Sequence, residues 1–172
     1  MFSDPASNLA KLGLMDGMKV ADIGAGSGFY TLEAARKVGG SGRVYAVDVQ
    51  KNLLEKLHSD ATAKGLGNVE VIWGNAEKIG GTKIREGLID RAVLSNTLFQ
   101  IEKPDECALE IKRILKPGGK VLVVDWSELS PISPKTIFPS MKAQALFEKS
   151  GFSLESTFSA GDHHYGLVFV RK

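Results

Sequence analysis

One cysteine, no cluster of basic residues and no long apolar run bound this 172-residue chain by what it excludes. Cys107 has no partner for an internal disulfide, which fits a reducing compartment and a buried structural thiol. The 22 Lys and Arg against 20 Asp and Glu leave a formal charge of +2. They form no patch that would mark a nucleic-acid face, so a nucleic-acid partner is not indicated. No apolar run approaches the ~20 residues of a membrane-spanning helix. Residues 1–13 also lack a basic segment followed by an apolar stretch. The expectation is a soluble, cytoplasmic protein with no membrane partner, folded as one domain over residues 1–172.

Strands and helices alternate in what remains. Asp4-Pro5 reads as an N-cap and first turn of a short opening helix that Gly13 closes. Residues 20–23 form an apolar strand, and 30–38 follow helical spacing through Leu32, Ala35 and Val38. Residues 43–49 are β-branched and aromatic, a second strand. Leu53, Leu54, Leu57 and Ala61 then make a helical stripe that ends at Gly65 and Gly67. A third strand covers 69–73, and the Gly- and Lys-rich stretch 74–87 leaves room for a short helix only. Residues 88–95 are a fourth strand. Pro104 opens a helix with Cys107, Ile111, Ile114 and Leu115 on one face, stopped by Pro117-Gly118-Gly119. The fifth strand, 121–125, is nearly continuous in apolar residues, as a strand covered on both faces should be. Residues 127–139 hold three prolines and read as a loop; 140–150 read as a helix. Alternating runs at 152–158 and 165–170 flank Gly161-Asp162 and predict a terminal hairpin. The sum is an α/β sandwich with a parallel sheet and an antiparallel edge.

In such a sheet a ligand lies across the carboxyl ends of the strands. The turn Gly24-Ala25-Gly26-Ser27-Gly28 is at that place, where glycine permits positive φ and close backbone approach. Asp48 follows Gly28 by 20 positions, at the end of the second strand, where an acid can accept from both hydroxyls of a ribose. Three details narrow the ligand. The dinucleotide fingerprint needs glycine at position 29, which is Phe29. Asp22, two residues ahead of the first glycine, would repel a pyrophosphate and attract an ammonium. No tyrosine precedes a lysine by four residues, the pair that short-chain dehydrogenases use.

These residues resemble the class I S-adenosylmethionine methyltransferases, in particular the ubiquinone/menaquinone group. The likeness spans about the whole chain: VADIGAGSGFYT at 20–31, the acid after 44–47, Gly74-Asn75-Ala76-Glu77, the stretch 90–100, Leu115-Lys116-Pro117-Gly118-Gly119 and HYGLVF at 164–169. It implies a Rossmann-like three-layer α/β sandwich with seven strands in the order 3-2-1-4-5-7-6, the last antiparallel. It also implies S-adenosyl-L-methionine as cofactor. Asp22 would organise the methionine end, with Gly24, Ala25, Gly26 and Gly28 lining it. Asp48 would hold the ribose and Val49 would pack on the adenine. Asn75 stands where the family usually has an aspartate that accepts from the adenine amino group, and an Asn carbonyl oxygen can accept as well. Ala76 would offer its N–H to the ring, and Asn96 would face the methionine and the methyl.

Methyl transfer from a sulfonium needs alignment and a dry pocket, not a fixed catalytic residue. Should the acceptor need a base, His163, His164 and Asp125 are candidates by position, although the histidine pair reads first as a turn or strand start. No metal site is expected. Trp73 and Trp126 read as strand-end core packing, and Phe99 divides evenly between core and pocket wall. The acceptor-specifying segments are 1–17, 97–104 and 127–139, all short. A small-molecule acceptor is expected ahead of a macromolecule, with the protein a monomer or homodimer. The alternatives are a nicotinamide-dependent oxidoreductase and a methyltransferase-like binding module without turnover.

Overall fold

The computed structural model describes residues 3–127, 129 and 131–172. A seven-stranded sheet in the order β3-β2-β1-β4-β5-β7-β6 forms the middle layer. Its strands are β1 (Lys19–Ile23), β2 (Arg43–Asp48), β3 (Val69–Trp73), β4 (Ile89–Ser95), β5 (Leu115–Trp126), β6 (Phe152–Gly161) and β7 (His164–Arg171). Strands β1 to β5 are parallel, whereas β7 runs antiparallel between β5 and β6. The helices are α1 (Pro5–Ala10), α2 (Phe29–Val38), α3 (Lys51–Ala63), α4 (Pro104–Ile114) and α5 (Ser140–Lys149). This is the sandwich and strand order expected from the resemblance.

Side-chain alternation along each strand sorts residues onto two faces. Val20, Val93, Leu122 and Val124 meet Tyr30, Ala34 and Val38 of α2 and Leu9 of α1. Ala21, Ile23, Leu94, Val121 and Val123 meet Cys107 and Ile111 of α4 and Phe147 of α5 on the other face. Phe147 stacks on Phe169 of β7 with ring centroids 4.9 Å apart. Both faces of the central strands are thus apolar because helices cover both. Among the described residues no helix is long and apolar enough to cross a membrane.

Local details depart from the sequence expectations. Helix α4 ends at Ile114, and Leu115 is already the first residue of β5, paired with Ile89. The register then shifts so that Lys120 pairs with Arg91, leaving Pro117-Gly118-Gly119 as a bulge inside the strand. No helix forms over residues 74–87; turns fill the segment. Its order comes from Glu110 of α4, whose buried carboxylate accepts from Gly80 N–H at 2.7 Å, Thr82 N–H at 3.2 Å and Thr82 Oγ1–H at 2.5 Å. Arg113 donates to the same carboxylate at 2.7 and 2.8 Å and to the Ile84 carbonyl at 2.7 Å. Gly161 closes β6, so the hairpin turn is Asp162-His163, with His163 at φ 61. Residues 128 and 130 of the expected loop, and 1–2 of the opening segment, lie outside the described residues. The rest of 127–139 carries no helix or strand.

Candidate functional site

The carboxyl ends of β1, β2, β4 and β5 open into one cleft of about 940 Å³. Its floor is the glycine turn. Gly24 and Ala25 N–H groups both donate to the Val47 carbonyl, at 2.9 and 3.1 Å, which ties the turn to β2. Gly24, Gly26 and Gly28 take φ of 70, 52 and 83°, the left-handed region that glycine enters without strain. At Gly24 the Thr97 side chain closes the space, since a Cβ would meet Thr97 Oγ1 at 2.5 Å.

Two carboxylates from the β1 and β2 ends organise this half. Asp48 Oδ2 accepts from Gly26 N–H and Oδ1 from Gln50 N–H, both at 2.9 Å, so one acid bridges the turns after β1 and β2. Each oxygen keeps a lone pair for a further donor. Asp22 is buried and accepts from Thr31 Oγ1–H at 2.6 Å. Burial pushes its pKa up to about 6 against the pull of the Thr31 bonds, with the Asp48 charge adding to the rise. Asn75 Oδ1 accepts from Glu77 N–H at 2.8 Å, and the Glu77 carboxylate in turn accepts from Glu102 and Lys103 N–H at 2.9 and 2.7 Å.

The other half is built at the ends of β4, β5 and β7. Asn96 follows β4 with φ 52, and its Oδ1 is buried without a hydrogen-bond partner. Trp126 ends β5 opposite His164 of β7, and their ring centroids lie 4.3 Å apart. Beneath them Asp125 is fully buried and accepts from Trp126 N–H at 2.8 Å; burial raises its pKa to about 6. Tyr30 and Ser3 also line the cleft, their hydroxyls 2.9 Å apart, with Asn8 Nδ2 donating to both and to the Ala160 carbonyl of β6.

Of the residues expected to hold a cofactor, Asp22, Gly24, Ala25, Gly26, Asp48, Val49, Asn75, Ala76 and Asn96 all line this cleft. Gly28 does not: it caps α2 and packs on Leu57. Among the base candidates His164 lines the cleft, while Asp125 and His163 do not. The tryptophans correct the core-packing expectation. Trp73 sits on the edge strand, 53% exposed, with Lys51 Nζ 3.8 Å from its ring centroid; Trp126 lines the cleft. Phe99 is half-buried and outside the lining. Sequence reasoning gave no role to Thr97 or to Tyr30 and Thr31, although the last two close the motif at 20–31. Thr31 could have been found, because the first turn of α2 must lie beside the end of β1.

Residues 14–162 match a family model described as a methyltransferase domain. The chain belongs to the class I methyltransferase family. It is 32% identical over 127 residues to a ubiquinone/menaquinone biosynthesis C-methyltransferase from Francisella tularensis subsp. holarctica, covering 73% of this chain and 49% of that protein. The chain thus spans about half the length of that curated relative. A solved SAM-dependent methyltransferase from Aquifex aeolicus superposes with a TM-score of 0.90 at 27% identity, over 99% of this chain and 90% of the other. The cyclase SpnF shares the fold, with a TM-score of 0.83 at 15% identity over 97% of this chain and 80% of its own. The architecture alone therefore does not fix the reaction, which must be argued from the site.

Proposed function

We propose that this chain transfers the methyl group of S-adenosyl-L-methionine to a small organic acceptor. The observation that carries the reading is the charge of the cleft: Asp22, Asp48 and Glu77 line it, with no Lys or Arg among the described lining residues. A pyrophosphate would meet only like charge there, whereas a ligand bearing an ammonium and a sulfonium meets complementary charge. Asp48 is positioned for the ribose hydroxyls, Asn75 and Ala76 for the adenine edge, and Val49 on the rim for its face. Asp22 holds the ammonium end, and Asn96, across β1 from Asp48, offers its free Oδ1 toward the methyl-bearing side.

When bound, the cofactor would supply an electrophilic methyl carbon, from which an in-line nucleophile would displace the thioether. The protein's share is alignment and exclusion of water. The glycine turn fixes the donor from below, and the wall of Tyr30, Ser3, Trp126 and His164 confines the acceptor. The segments 97–104 and 127–139 are short, which supports a small acceptor over a macromolecular one. Calorimetric titration with S-adenosylmethionine and, separately, with NAD tests the reading: the first binds and the second does not. Asp48→Ala weakens S-adenosylmethionine binding by about 1–3 kcal/mol, the worth of hydrogen bonds to a charged group. Unchanged affinity in that variant sinks the ribose assignment.

A further inference from the structure

His164 is 5% exposed, lines the cleft and has two ring nitrogens in opposite situations. Nδ1 lies 2.8 Å from the Asp162 carbonyl oxygen, which can only accept, so Nδ1 carries the hydrogen. Nε2 is then left with a lone pair, buried and without a partner. An unpartnered buried polar atom costs stability, and native chains retain one for a reason such as strain, catalysis, or a bound water, ion or ligand. The ring is fixed by its contact with Trp126. Burial, then the neighbouring His163, lowers its pKa and keeps it neutral.

Asn96 Oδ1 also lines the cleft without a partner, but an amide oxygen accepts a hydrogen bond and takes no proton, and the acids and the phenol of the lining already hold donors or partners. Asp22 holds Thr31, Asp48 holds Gly26 and Gln50, Glu77 holds Glu102 and Lys103, and Tyr30 is tied to Ser3 and Asn8. Nε2 is the basic atom in this wall with its lone pair free among the described residues.

We propose that His164 Nε2 receives the hydrogen of the methyl acceptor, and that the acceptor is a small molecule presenting an O–H or N–H and bearing no carboxylate or phosphate. This rests on the methyltransferase reading. The lone pair of the acceptor atom forms the new bond to the methyl carbon. The carbon–sulfur bond breaks with its electron pair passing to sulfur, which becomes a neutral thioether. The acceptor's proton moves to Nε2, and solvent later removes it from the imidazolium. A phosphate or carboxylate on the acceptor would find three acids and no cationic side chain in the described lining.

The test uses the protein saturated with S-adenosylhomocysteine and NMR of nitrogen-labelled histidine at neutral pH. Catechol and aniline are the donor probes; benzoate and phenyl phosphate are the anionic ones. A donor probe shifts the Nε2 resonance and binds at least about tenfold more tightly than either anion. With S-adenosylmethionine, His164→Gln keeps binding of that probe within a few-fold but slows methyl transfer to it by about a hundredfold or more, because an amide accepts a hydrogen bond and cannot take the proton. His164→Leu loses both, with S-adenosylhomocysteine affinity unchanged as the control for folding. No shift from either donor probe, tighter binding of an anion, or undiminished transfer by His164→Gln overturns the inference. Failure of the wild type to bind S-adenosylhomocysteine instead overturns the methyltransferase reading itself.

Discussion

Thr31 Oγ1 donates to the Asp22 carboxylate over 2.6 Å, out of reach of solvent and directly under the glycine turn. The bond is the main force that opposes desolvation of Asp22, whose pKa nevertheless stands at about 6. Removing the bond with Thr31→Val raises that pKa further and weakens S-adenosylmethionine binding at neutral pH by roughly 1–2 kcal/mol. Carboxyl NMR titration follows the first effect and calorimetry the second.

The same shift sets a pH dependence. Asp22 has a folded pKa above its unfolded value of 3.8, so between 3.8 and about 6 the native chain holds a proton that the unfolded chain has released. The Asp22 contribution to the stability of the ligand-free protein therefore falls as pH rises through that window and is flat above it, and Asp125 acts with the same sign. A cationic ligand favours the ionised Asp22, so binding near pH 6 releases a proton. Calorimetry in buffers of different ionisation enthalpy reads the release; an absence of buffer dependence contradicts an ammonium beside Asp22.

Glu110 behaves in the opposite sense. Burial pushes its pKa up, but the bonds from Arg113, Thr82 and the Gly80 and Thr82 amides outweigh it and hold the carboxylate below 4.5. Its contribution is present above 4.5 and is lost as pH falls through the folded value. Glu110→Gln destabilises the protein by about 2–4 kcal/mol, since it leaves Arg113 and the loop donors without their anion. Urea denaturation at neutral pH measures the loss, and the gap to wild type narrows in acid.

Gly28→Ala separates stability from binding. The residue stands at φ 83, and a Cβ would fall within the Leu57 side chain of α3. Strain and overpacking together cost about 2–4 kcal/mol. Because Gly28 lies off the cleft, the variant that remains folded binds S-adenosylmethionine as the wild type does. Chemical denaturation and calorimetry on one sample check both halves.

Much of the fold is legible because β1, β4 and β5 bury side chains on both faces and write that in runs such as Val121 to Val124. What stayed hidden depends on contacts distant in sequence. The segment 74–87 owes its form to Glu110, a polar residue inside an otherwise ordinary helix, so its local composition carries no sign of order. Trp73 looks like core by residue type, yet β3 is the edge of the sheet and the ring lies outside. For the site, the glycine and acid positions were readable as spacing. Position alone named His164 only as one of three base candidates; what sets it apart is which ring nitrogen meets the Asp162 carbonyl, and that is not written in the sequence.

The cleft is assembled from two sets of loops, one after β1 to β3 and one after β4, β5 and before β7, joined where Glu77 accepts from Glu102 and Lys103 N–H and where Thr97 covers Gly24. The first is locked by backbone bonds to Val47 and Asp48 and by the Glu110 staple behind it. The second ends in the segment 127–139, which carries no helix or strand among its described residues. The segment after Trp126 is thus the place where a longer insert would change one rim of the cleft while leaving the glycine turn and its bonds to Val47 and Asp48 as they are.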